Sequence, residues 1–508
     1  MTTETQLDTL EAKGLIRLAA IQPELEYLFR HALVQDAAYG SLLKQERRGL
    51  HAQVGEALEE LYPDRREELA AVLGMHFEQA GETEKALDYL ISAGNYAVQR
   101  NAIREAFDAF DRAAALLPEA TPRDGEALRR QRIEVRLGRV QAGFSFRPAE
   151  EVVGELDFLG PAADALGDDR VAVKVHVLSA LARLQIGFDP ADPSVERSLA
   201  RIGEIGERVG DKSLQALPLG LIGMRNVFSG SLPTGVQQLE ASVPLLETSH
   251  DSIAASFARG ALAVGYAYQG EFAKATEAAR RANEVAESGD LIAQLDTMIM
   301  DSMVRSQMGD LDAAVPMARQ CVERSEETGA SGCIMASAWV LGDAFHRQGR
   351  FAEAREVLQR GADVSGVIDR KVWRPTLLAW LVASSMAMGE GDGDFEEALE
   401  VARSIGNRGG EAGILAKRAE AAVRRGDIDA ALPDFEASAA ILEAEGARPN
   451  LARLLAGWGE SLRAAGRVEA AAPLVQRALR LFEELGLDRE AAAVRTGITL
   501  GSTKIAFD

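Results

Sequence analysis

Aromatic residues make up only 6% of this 508-residue chain, and cysteine occurs twice, at Cys321 and Cys333. Two cysteines form no disulfide framework, and their spacing matches no metal motif. Both are expected as small apolar residues on helices. Lysine is scarce too: nine lysines leave 47 of the 56 basic residues as arginine. With abundant alanine and glycine, that bias is associated with GC-rich bacterial genomes. The net charge of −22 leaves no basic stripe of the kind a general nucleic-acid or anionic-membrane binder needs. Long apolar runs are also missing. Pro375 to Gly389, an uncharged run that no other exceeds, is too short to span a bilayer. The opening Met1–Leu10 is polar and acidic, without a signal-peptide pattern. The expectation is a soluble cytoplasmic protein with no membrane and no nucleic-acid partner.

Catalytic signatures are missing as well. No Gly-x-x-x-x-Gly-Lys-[Ser/Thr] loop occurs to cradle phosphates, and no His-Glu-x-x-His or Gly-x-Ser-x-Gly motif is present. Gly391-Asp392-Gly393 has no third glycine for a dinucleotide turn. The acidic insert Glu390–Asp394 lacks the glycine and distal glutamate of a calcium loop. The six histidines (His31, His51, His76, His176, His250, His346) show no ligand spacing. No enzyme, no cofactor and no metal site is expected from these residues.

What the chain does have is a period. Gly230, Gly270, Gly309, Gly349, Gly389, Gly426 and Gly466 are separated by 40, 39, 40, 40, 37 and 40 residues. Each lies between two apolar helical patterns. Around Gly349 stand Leu341-Gly342, Phe345, Ala354 and Leu358; around Gly466 stand Trp458-Gly459, Leu462, Ala471 and Ala478; around Gly81 stand Leu73-Gly74, Phe77, Ala86 and Leu90. The first small residue lets a second helix approach, the large residue three positions on fills the groove on the same face, and the glycine ends the first helix. This is the pattern of stacked helical hairpins of the tetratricopeptide kind, lengthened from about 34 residues per repeat. Upstream the period weakens through Gly187 and Gly143, with Pro148, Pro161, Pro190 and Pro193 expected in loops. The fold class is all-α: an α-solenoid of nine to ten hairpins over residues 63–495, with a loose tail at 496–508. Such an array offers a surface rather than a pocket.

Residues 1–62 break the period. Leu7 and Leu10 suit a short helix, Leu15–Ala20 and Leu25–Arg30 a hairpin around Pro23, and Ala37 to Leu58 one long amphipathic helix. Helix, two-stranded wing and helix suggest the later part of a winged helix. Leu15-Ile16, the run Tyr27-Leu28-Phe29-Arg30-His31-Ala32-Leu33-Val34-Gln35-Asp36-Ala37-Ala38-Tyr39, Leu42-Leu43, Arg47-Arg48 and Leu50-His51 resemble a junction in STAND-class signalling ATPases. In bacteria these are often fused to class III adenylate/guanylate cyclase domains. The junction joins a winged helix to a tetratricopeptide sensor arm, and the match covers roughly residues 7–117. The resemblance places His31 where the family has a nucleotide-sensing histidine, although the family's aspartate position is alanine here. In this chain the ring is expected to be hydrogen-bonded at the helix start.

The resemblance and the period together imply a sensor or interaction arm of a bacterial signal-transduction regulator. It would bind a protein, a peptide or a small inducer and pass the state to a partner carrying the nucleotide chemistry. A free-standing scaffold is the alternative. DNA binding through Lys44, Arg47 and Arg48 is opposed by the overall charge. Binding residues are expected on the first helices of the hairpins, with Arg225, Asn226, Tyr268, Arg305 and Trp380 as candidates.

Overall fold

The computed structural model describes residues 3–20, 26–118, 125–248, 252–287, 291–391 and 393–496. The Pro23 turn, His250, Asp392 and the tail beyond Thr496 lie outside them. The chain divides into two compact units: Met1–Arg100 with Glu105–Thr121, and Asn101–Arg104 with Pro122–Asp508.

In the first unit, α1 (Thr3–Ala12) leads into an antiparallel pair, β1 (Ile16–Ala20) and β2 (Glu26–Phe29), in which Ile16 faces Phe29. The long helix expected next is two helices, α2 (Ala32–Ser41) and α3 (Lys44–Leu61). Leu42 and Leu43 are extended, and the Glu46 carboxylate accepts from the Leu43 N–H at 2.8 Å, which starts the second helix afresh. No residue of α2 is buried, and Leu33 is 81% exposed. After a 3-10 turn at Pro63–Arg65 come α4 (Ala70–Ala80), α5 (Thr83–Gln99) and α6 (Ile103–Leu116). Leu73, Phe77, Ala86 and Leu90 form the buried seam between α4 and α5. Gly94 admits the Phe110 ring of α6.

The second unit is a succession of hairpins. They are α7 (Glu126–Gly143) with α8 (Ala149–Leu166), α9 (Asp169–Gln185) with α10 (Pro193–Val209), and α11 (Lys212–Ser229) with α12 (Leu232–Leu246). Next come α13 (Ser252–Gln269) with α14 (Phe272–Ala286), α15 (Leu291–Gln307) with α16 (Leu311–Thr328), and α17 (Ser331–Arg347) with α18 (Phe351–Ile368). The series closes with α19 (Arg374–Ala387) and α20 (Glu396–Ser404), α21 (Arg408–Arg424) and α22 (Ile428–Ala444), α23 (Arg448–Ala464) and α24 (Val468–Leu485), and a final α25 (Asp488–Thr496). Consecutive helices pack on one another, so the chain is an α-helical repeat array.

At Gly270 φ is +84°, and the following Glu271 N–H reaches back to the Tyr266 carbonyl at 2.8 Å, closing the last turn of α13. The other turn glycines from Gly309 to Gly466 repeat this geometry. Gly230 does not: its φ is −140°. There a glycine serves because a side chain would strike Asn226 and Arg225. A second set, Gly210, Gly329, Gly406, Gly446 and Gly486, ends the second helices of hairpins with positive φ. Gly143, read as a turn marker, is instead the last residue of α7, and Pro161 lies inside α8 rather than in a loop. Leu156, Leu159 and Ala163 are buried on both sides of that proline, which keeps the helix continuous. Cys321 and Cys333 are buried on α16 and α17, and burial pushes the Cys321 thiol up to about 12.

One feature of this unit is not local. Helix α11 meets α21 and α13 meets α23, each ten helices further along. Arg225 Nη2 donates to the Ile405 carbonyl at 2.9 Å, Leu232 N–H to Glu445 at 2.8 Å, and Arg453 to the Gln307 carbonyl at 2.7 Å. Five hairpins thus complete one turn of the superhelix, and successive turns touch.

Within a hairpin, close approach depends on small residues. A side chain at Gly342 would collide with Leu358, and one at Gly459 would reach within 2.6 Å of Val475. Gly342→Val is expected to cost about 1–3 kcal/mol through overpacking. Gly154→Ala, on a helix face with nothing within 4 Å, should instead stabilise by about 0.5–1 kcal/mol. Thermal or urea melts of the two variants check the pair of opposite signs.

Candidate functional site

Inside the turn lies a cavity of about 470 Å³, walled mainly by first helices of hairpins. Counting back from each turn glycine, its lining falls in register. Thirteen residues before are Thr376, Gly413 and Arg453; nine before are Trp380, Lys417 and Gly457; six before are Asp343, Glu420 and Glu460; two before are Tyr268, Gln307, Arg347 and Arg424. Steps of three to four residues keep these positions on one helical face.

One end of the cavity is aromatic. The Trp339 ring lies 5.7 Å from that of Trp373 and 6.4 Å, edge-on, from that of Trp380, while Phe228 lies 5.6 Å from Trp373. Gly413 leaves room for the Trp380 indole. Trp380 Nε1 donates to Asp343 Oδ1 at 2.8 Å. Burial and the nearby Asp343 charge push the Tyr268 phenol above its ordinary range.

Next along α21, the Lys417 ammonium stands 5.4 Å from the Trp380 ring centre and 3.0 Å from Glu420 Oε2. His346 is buried, with Nδ1 2.9 Å from Ser384 Oγ. Burial first, then the charges of Lys417 and Arg424, hold its pKa well below the ordinary value. Glu420 Oε2, at 4.0 Å, is too far to hydrogen-bond to it.

A buried charge network adjoins these groups. Arg453 donates to Gln307 Oε1 at 3.0 Å and to Glu490 Oε1 at 3.1 Å, and Arg347 stands 3.9 Å from the same carboxylate. Arg347 also donates to the Ser306 carbonyl at 3.0 Å. Burial and Arg347 work against the Arg453 charge, and Glu490 supports it. Among the described residues, no group of three His, Cys, Asp or Glu side chains is placed to hold a metal ion.

Of the residues singled out from the sequence, Tyr268 and Trp380 line the cavity. Arg225 is engaged with the Ile405 carbonyl, and Asn226 Nδ2 donates to Gln238 at 2.9 Å. Arg305 pairs with Asp301 at 3.1 Å. These three stand four or five residues before their glycines, off the cavity register. Asp343, Arg347, Lys417 and Arg453 were missed, although alignment on the turn glycines would have put them in phase with Trp380; His346, three residues before Gly349, was missed outside that register. In the first unit, exposed His31 precedes α2. Its carbonyl accepts from Val34 N–H at 3.0 Å, while the ring makes no capping hydrogen bond, histidine lacking the short side-chain oxygen that caps a helix. The apparently scattered His51 and His76 meet there, Nδ1 to Nδ1 at 2.9 Å, with the Tyr39 hydroxyl 2.9 Å from His51 Nε2.

No family model matches the chain. A curated relative, an uncharacterized protein of Rhizobium meliloti (strain 1021), is 30% identical over 128 residues. The match covers 24% of this chain and only 12% of that relative's length. Similar solved structures include a Rap protein complexed with competence and sporulation factor, at 13% identity and TM-score 0.48, covering 70% of this chain and 98% of that one. The APC/C hetero-tetramer Cut9–Hcn1 is 13% identical with TM-score 0.47, covering 92% of each chain. A STAND protein with a tetratricopeptide repeat sensor from Pyrococcus horikoshii is 13% identical with TM-score 0.36, covering 80% of this chain and 58% of that one. At these values the likenesses add nothing to what the helices themselves show, and none bears on ligand or partner. Among the described residues no helix is long and apolar enough to cross a membrane.

The buried His346 gives the cavity a pH signature. Its folded-state pKa is depressed, so the neutral form stabilises the fold above about pH 6.5 and that contribution is lost as pH falls below it. Wild type should therefore lose stability more steeply from pH 7.5 to 5 than His346→Gln, as read by urea melts across that range.

Proposed function

We propose that this chain is the ligand-sensing and interaction arm of a bacterial signal-transduction regulator of the STAND type, non-catalytic in itself and cytoplasmic. Its repeat unit takes a protein segment, peptide or small inducer at the central cavity. A partner supplies the ATPase or cyclase chemistry. The observation that carries the reading is the partly open cavity of about 470 Å³ with three of the chain's four tryptophans in its wall. Its size and its mixture of apolar walls with a few fixed polar groups suit a specific ligand. In the same reading residues 1–62 are the end of a winged helix, 63–495 the repeat arm and 496–508 a tail, and His31 stands at the nucleotide-sensing position. The exposed apolar face of α2 supports a junction that meets another part of a regulator.

The test is a thermal-shift screen of the purified chain against fractionated low-molecular-mass extract of a bacterial host. A ligand at about one hundred times its Kd should stabilise the fold by about 2.7 kcal/mol. Binding should be lost in Tyr268→Ala and Trp380→Ala. Undiminished binding in both variants would place the ligand elsewhere and sink the cavity reading.

A further inference from the structure

The cavity wall differs in charge from the rest of the chain. The chain carries −22, but the wall holds six cations (Arg347, Lys417, Arg424, Arg453, Arg463, Arg489) against five acids (Asp343, Glu420, Glu445, Glu460, Glu490). Most of those acids are engaged. Asp343 accepts from the Trp380 indole, Glu490 from Arg453, and Glu445 from the Leu232 N–H. Glu420 is bound by Lys417 alone among the cations within ion-pair distance. Arg424 forms no ion pair among the described residues and rests its guanidinium 5.5 Å from the centre of the Phe351 ring. Lys417 and Arg424 are seven residues apart on α21, two turns along the same face. Both act on the buried His346 between them and disfavour its positive charge. The cavity thus joins an aromatic end, formed by Trp339, Trp373 and Trp380, to a positive end.

Resting on the reading of the cavity as a ligand site, we propose that its ligand is a small amphipathic monoanion, an aryl carboxylate in chemical class. The aromatic body stacks against the tryptophan cluster, and the carboxylate meets Lys417 and Arg424. Cationic ligands are rejected because Lys417 already covers the Trp380 face at 5.4 Å and Arg347 lies 3.8 Å from Asp343, the carboxylate nearest the rings. A buried charge-assisted hydrogen bond is among the stronger polar contacts available to such a ligand. The volume of about 470 Å³ holds a bicyclic ring with its acid side chain and excludes a folded domain.

The experiment is isothermal titration calorimetry of the full chain with three probes of similar shape: 1-naphthaleneacetate, 1-naphthaleneethanol and 2-(1-naphthyl)ethylamine. The carboxylate should bind at least about tenfold tighter than the alcohol, the worth of one charge-assisted hydrogen bond, with the amine weakest. Lys417→Met and Arg424→Met should each weaken the carboxylate by about tenfold and the uncharged alcohol by less. Glu420→Gln should move the other way and tighten the carboxylate, since it frees Lys417. That gain cannot come from a misfolded variant. Preference for the amine or the alcohol would overturn the charge assignment while leaving a ligand-binding cavity in place. Carboxylate binding that is indifferent to all three substitutions would overturn the assigned anion position. Failure of all three probes at millimolar concentration would overturn the proposal and count against the cavity reading itself.

Discussion

The contact between hairpins one superhelical turn apart is the constraint on which the rest of the second unit depends. Each hairpin sees its immediate neighbours, as any repeat does. Here α11 also meets α21, and α13 meets α23. The closure is polar as well as apolar. Arg453 reaches from α23 to the end of α15 and binds Gln307 through both side chain and carbonyl, while Glu490 of α25 holds Arg453 and faces Arg347. These groups are largely removed from water, so each must keep its partner. Removing one member leaves the others uncompensated, and the seam acts as a unit.

That closure gives the cavity its character. An open solenoid presents its inner helix faces to water, where an indole edge or a lysine has little leverage. Where the turns meet, the same groups are partly desolvated and their charges act over longer distances. His346 registers this, held neutral by burial and by two cations. Trp380 links the two ends of the wall, donating to Asp343 while lying beneath Lys417. The aromatic poverty of the chain adds to the effect, since three of its four tryptophans are gathered in this one wall.

The helical repeat was legible because its determinants are local. A glycine with φ near +80° ends α13, and Gly342 and Gly459 admit a neighbouring helix. Each leaves a mark in the sequence at fixed spacing. The break between α2 and α3 was harder to see, because Leu42 and Leu43 continue the apolar pattern and only Glu46 signals a new start. The cavity was not legible at all as a pocket. Whether the sixth hairpin touches the first depends on small rotations accumulated over five repeats, which no single motif encodes. Arg225 looked like a binding residue because it sits on a first helix, yet it is engaged with the Ile405 carbonyl, 180 residues away. The inward face itself could have been found, since Trp380 and Lys417 both stand nine residues before their glycines.

The closed turn is tested most directly by a double-mutant cycle between Gln307 and Arg453, residues 146 apart in sequence. Unfolding free energies of Gln307→Ala, Arg453→Met and the double variant give the coupling. If the turns touch as described, the coupling is about 1 kcal/mol or more. Additivity to within about 0.3–0.5 kcal/mol would mean that the two side chains do not meet, and would contradict both the contact between turns and the cavity beside it.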